Sequence, residues 1–198
     1  MKNVLISVTL ALALAGCSTT TPAISEYTII PLHSLQNPLS PPANVTLKLT
    51  PTKSIPSLAS KKLYYLRDTT RIGSYLYSRW ADTPANMIDH LLISSLQNRH
   101  LFAALLPATS TAYADMTLES DLYAFYHRFH NDGSSEGFID ITYRLIDSKS
   151  KKTIGSKHFS ITSPSVSADA AGGVNALSVA TQRLSEESTR WLETILKP

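Results

Sequence analysis

Apolar and polar positions alternate along this chain with two different periods, and the change from one to the other marks out its elements. Val45, Leu47 and Leu49 alternate with Thr46 and Lys48, the period of a half-buried strand, which ends at Pro51. Residues 26–30 read as an earlier short strand, followed by Pro38, Pro41 and Pro42, which break any regular element. Residues 63–66 and 72–77 are rich in Leu, Tyr and Ile and flank the stretch 67–71, a pattern that predicts a hairpin. At Thr83 the period changes. Thr83 is a good N-cap, Pro84 suits the first helical position, and Met87, Leu91, Leu92, Ser95 and Leu96 recur at helical spacing, which predicts a helix from Pro84 to about Arg99.

The second half repeats the contrast. In the long strand-like segment 115–129, Met116, Leu118, Leu122 and Tyr126 fall on one face and Glu119, Asp121 and His127 on the other. The same alternation places Tyr123, Phe125 and His127 in an aromatic row opposite Leu122, facing outward if the Met116 face covers the core. A polar turn at 131–135 leads to a strand at 138–147, with Ile139, Ile141, Tyr143 and Leu145 on one face. A second turn at 148–152 leads to 153–162, so three strands form an antiparallel meander. From about Asp169, Val174, Leu177, Thr181, Leu184, Trp191, Leu192 and Ile195 make the apolar stripe of a last helix. Gly172 and Gly173 each cost about 1 kcal/mol relative to Ala, which moves its expected start to Val174. The expected fold is α+β, a mainly antiparallel sheet of about six strands with two amphipathic helices packed on one face.

The N-terminus has a different logic. Met1, Lys2 and Asn3 precede an apolar stretch from Val4 to Ala15, too short to span a bilayer but right for the core of a secretory signal. It ends in Leu14, Ala15, Gly16 and Cys17, which resembles the bacterial lipobox. That resemblance implies cleavage between Gly16 and Cys17 and acylation of Cys17 on its sulfur and new amino terminus. Acyl chains contribute about 0.8 kcal/mol per buried methylene, so two or three of them anchor a protein stably. Ser18, rather than Asp, follows the cysteine, which resembles the outer-membrane sorting pattern of two-membrane bacteria. The chain therefore divides into a signal peptide at 1–16, a lipidated tether at 17–24 and one domain at 25–198.

Composition narrows the functional classes. The 198 residues carry 17% charged and 43% hydrophobic side chains, enough to build a core. A net charge of +3 without a basic patch disfavours nucleic acid as a partner. The single cysteine excludes an intramolecular disulfide and any multi-cysteine metal site. Of six histidines, only His127 and His130 are close, and three residues apart on a strand they point to opposite faces, so solvent-facing histidines are expected rather than a metal pair. Asp115, Glu119 and Asp121 share a strand face and are expected to be solvated. Gly133 and Gly137 read as turn glycines. There is no Gly-x-Ser-x-Gly elbow, phosphate-binding glycine loop or His-Glu-x-x-His helix, and no set of nucleophile, base and orienting group can be assembled. Neither an enzyme nor a cofactor is expected.

The arrangement as a whole carries a resemblance. A lipobox, a strand containing Tyr27, a Pro-rich stretch, the run Tyr75, Leu76, Tyr77, Ser78, Arg79, Trp80, Ala81, Asp82, Thr83, Pro84 leading into a helix, and a late Trp191-Leu192 pair resemble the ABC-type transport auxiliary lipoproteins, the PqiC-like group. The resemblance implies an outer-membrane-anchored, periplasm-facing component without enzymatic activity. Its implied partners are an MCE (mammalian cell entry) protein and an inner-membrane ABC transporter, which together move phospholipids or other hydrophobic molecules. It also allows a ring-type homo-oligomer. A lipoprotein that itself binds a hydrophobic ligand, or one that serves envelope assembly, remains the alternative. Trp80 is either a helix-packing residue or, with Tyr123 and Phe125, a partner contact.

Overall fold

The computed structural model describes residues 22–30, 42–68 and 70–196. Gly16, Cys17, the tether as far as residue 21 and His33 lie outside them. In chain order the elements are β1 (Ser25–Tyr27), β2 (Ala43–Leu49), β3 (Lys53–Ser54), β4 (Lys62–Arg67), β5 (Arg71–Trp80), α1 (Pro84–Arg99), β6 (Phe102–Leu106), β7 (Met116–Phe129), β8 (Ser135–Asp147), β9 (Thr153–Pro164) and α2 (Ala170–Leu196).

The nine strands form one sheet of mixed direction, which corrects the expected six-stranded, mainly antiparallel one. β7 is its axis. Along one side β7 pairs antiparallel with β8, and β8 pairs antiparallel with β9, the meander that the polar turns imply. Along its other side β7 receives three strands in parallel: Leu47 opposite Met116, Lys53 opposite Asp121 and Tyr65 opposite His127. The chain from Ala43 to Arg67 thus makes one pass along β7, interrupted near Pro51 and Pro56, where a missing amide donor ends regular pairing. β6 joins β2 in parallel at one end; β5 joins β4 as the expected hairpin at the other, and β1 lies parallel to β5. A strand's own alternation carries no information about the direction of its neighbour, so these non-local parallel pairings had no sequence signal.

Both helices cover the sheet face that carries Ile139, Ile141, Tyr143 and Leu145, all fully buried. α1 is capped as its sequence predicts: the Thr83 hydroxyl accepts from the Asn86 amide, and Pro84 takes the first position. α2 begins at Ala170 rather than Val174, because the Asp169 carboxylate accepts from the Gly172 amide at 2.8 Å and holds the first turn. The glycines of that turn are required by packing. A Cβ on Gly173 would lie 2.5 Å from His127 Nδ1. Gly137, expected in a turn, sits inside β8, where a Cβ would lie 2.5 Å from the Leu177 backbone nitrogen, so it is the seat of α2 on the sheet. The two helices are joined by the Ser185 hydroxyl donating to the Leu91 carbonyl and by the pair Arg99–Glu193 at 3.2 Å.

Candidate functional site

The aromatic segment of β7 is organised by a bulge. Leu122 stands opposite Ile141 but Ala124 stands opposite Asp140, so Tyr123 is an extra residue that shifts the inward phase by one position. Before the bulge Leu118, Ser120 and Leu122 are buried; beyond it Phe125 and His127 turn inward instead. This corrects the outward aromatic row. Phe125 is 1% exposed and meets the fully buried Trp80 edge to face at 5.6 Å, and only Tyr123, 42% exposed, reaches the surface. The consecutive apolar run Ala124, Phe125, Tyr126 was the available sign, since strict alternation cannot bury both Leu122 and Phe125.

His127, expected in solvent, is fully buried. Its Nδ1 shares a 2.7 Å hydrogen bond with the Tyr75 hydroxyl, Phe129 packs 4.4 Å away between ring centroids, and Nε2 has no hydrogen-bond partner. Burial holds its pKa down to about 4, with Arg67 acting in the same direction and Asp169 opposing. Burial raises the Tyr75 phenol to about 12. The ring is therefore neutral at neutral pH and closed to solvent, a structural group rather than a base in a cleft. His130, on the other side of the strand as expected, pairs with Glu136 at 3.1 Å.

A second buried polar cluster had no signal in the sequence. Asp89 of α1 accepts from the Thr52 amide at 3.0 Å and the Thr52 hydroxyl at 2.5 Å, and that hydroxyl also meets Ser120 at 2.6 Å. Burial raises the Asp89 carboxyl against these hydrogen bonds. The expected acidic row is divided among separate partners: Asp115 accepts from the Thr46 amide at 2.8 Å, and Asp121 pairs with Arg144. Among the described residues no three His, Cys, Asp or Glu side chains are placed to hold a metal ion.

What faces solvent is suited to contact. On the sheet face opposite Tyr75, the cross-strand pair Leu66 and Ile72 continues to Leu76. Between the helices a pocket of about 240 Å³ is lined by Arg99, Glu186, Thr189 and Arg190. No helix among the described residues is long and apolar enough to cross a membrane.

The fold is shared with solved proteins. A DUF330 protein from Xanthomonas campestris superposes with a TM-score of 0.78 at 17% identity, over 86% of this chain and 95% of that one. An uncharacterised protein gives 0.65 at 16% identity over 85% and 98%, and a hypothetical protein from Chlamydia trachomatis 0.55 at 11% over 78% and 99%. No curated protein matches the sequence. The family of ABC-type transport auxiliary lipoprotein components matches residues 27–187, from β1 into the last turns of α2, and this chain belongs to it.

Proposed function

We propose that the protein is anchored through Cys17 to the outer membrane and faces the periplasm. There it acts as the auxiliary component of an ABC/MCE-type system that moves phospholipid or other hydrophobic molecules across the envelope. Family membership over residues 27–187 is the observation that carries this reading. The lipobox-like run ending in Gly16 and Cys17 supports the anchor, and Ser18 supports the outer membrane as its site. The role is docking. The polar clusters around His127 and Asp89 hold elements together, and the helix pocket has charged walls, unlike a cavity built for acyl chains. Tyr123, turned out at the bulge, is the aromatic contact for an MCE protein or a neighbouring copy in a ring.

Mild extraction of a tagged full chain tests the partner assignment. Recovery of an MCE protein together with its ATPase is expected, and recovery of neither overturns the assignment. Tyr123→Ala lowers that recovery without changing the unfolding temperature.

A further inference from the structure

The outer face of the β4–β5 hairpin is apolar and open. Ile72 is 48% and Leu76 76% exposed; they share a face with Leu66, opposite the inward Tyr75. Two arginines at the hairpin tip stand on the opposite face, the one that carries Tyr65 and Tyr75. Arg71 pairs with Asp68, while the Arg67 guanidinium lies 4.5 Å over the Phe129 ring and has no acidic partner among the described residues.

The described residues ahead of β1 approach from the side of this hairpin. β1 runs parallel to β5 with Ser25 opposite Ser78, so the chain enters from the Arg71 end of β5. From Ser78 to Arg71 the strand reaches at most about 23 Å at roughly 3.3 Å per residue, since its register with β4 slips between Ser74 and Arg79. The eight steps from Cys17 to Ser25 span about 28 Å at most, even when fully extended. A lipid on Cys17 thus keeps the bilayer within about 28 Å of Ser25, near enough for the hairpin's outer face to meet it.

We infer that the β4–β5 hairpin is a membrane-contact surface. Ile72 and Leu76 enter the boundary between headgroups and acyl chains of the leaflet that holds the Cys17 lipid. The inference rests on the lipidation of Cys17. The anchor and the hairpin together give two signals for binding, and they fix which end of the sheet faces away from the membrane.

The single native cysteine makes the test direct, since acylation leaves an introduced cysteine as the only free thiol. Full-length lipidated protein carrying Ile72→Cys, Leu76→Cys or Ser156→Cys, the last on the far edge strand β9, is labelled with an environment-sensitive fluorophore. Each is reconstituted in phosphatidylethanolamine–phosphatidylglycerol vesicles containing a nitroxide-labelled phospholipid. The probes at 72 and 76 are expected to shift to the blue and to lose most of their fluorescence, while the probe at 156 keeps its own. Protein that floats with the vesicles but shows no quenching at 72 or 76 overturns the hairpin contact and leaves the anchor standing. A blue shift without lipid quenching overturns it in favour of a contact between copies. Protein that does not float overturns the anchor and the hairpin contact together.

Discussion

The Tyr75 hydroxyl and His127 Nδ1 lie 2.7 Å apart and reach across β4 to tie β5 to β7. Gly173 leaves the room for that ring, so one hydrogen bond fixes the hairpin, the central strand and the start of α2 relative to each other.

His127 is expected to make stability fall in mild acid. Its pKa is about 4 in the folded state against 6.5 for the free side chain. The unfolded chain therefore binds the proton first, and stability that is complete above pH 6.5 is lost as pH falls toward 4. The loss reaches about 3 kcal/mol. Urea unfolding of wild type and His127→Gln at pH 7 and pH 4.5 checks this. The variant shows a clearly smaller difference between the two conditions, and equal differences would sink the assignment.

Substitutions at two glycines of the sheet that face α2, Gly137 in β8 and Gly155 in β9, separate backbone contact from side-chain contact. Gly137→Ala pushes its methyl into the α2 backbone, which cannot move without lifting the helix, and is expected to cost about 2–4 kcal/mol. Gly155→Ala meets instead the far end of Ile195 at 2.7 Å, a flexible tip, and costs under about 1 kcal/mol. Comparable unfolding midpoints for the two variants would contradict the seating of α2 on β8.

These positions show what the sequence could and could not reveal. Ile139, Ile141, Tyr143 and Leu145 alternate without interruption, and Thr83 with Pro84 marks a helix start, so β8 and α1 were legible from local pattern alone. The direction of β2, β3 and β4 beside β7 depends on distant pairing, and no local pattern records it. Tyr123 hides the remaining lesson. One inserted residue reverses the phase of every position after it, so Phe125 and His127 were placed on the wrong face by an alternation that was correct up to Leu122. The Thr52–Asp89 contact joins a loop to a helix and leaves no periodic trace.

The bulge also yields a stability contrast. Trp80→Ala and Phe125→Ala each remove a buried ring and are expected to cost about 3–5 kcal/mol. Because the rings touch, the double variant costs less than the sum. Tyr123→Ala, at the surface, stays within about 0.5 kcal/mol of wild type. Thermal unfolding of the four proteins decides the point, and a large loss at Tyr123 would return it to the core.

The Thr52 hydroxyl is expected to matter more at neutral than at acidic pH. Thr52→Val keeps the shape of the side chain but leaves the Asp89 carboxylate with the Thr52 amide alone, at an expected cost of about 2–3 kcal/mol at pH 7. Burial already raises the Asp89 carboxyl in the folded state, and losing this donor raises it further. A carboxyl whose folded pKa lies above its unfolded value weakens the fold as pH rises through that interval, and the variant widens the interval. Toward acidic pH, as the carboxyl takes up its proton, the cost shrinks. Urea midpoints of wild type and variant at pH 7 and pH 4 measure it, and a penalty that is the same or larger at pH 4 would show that Asp89 is not held as a buried anion by Thr52.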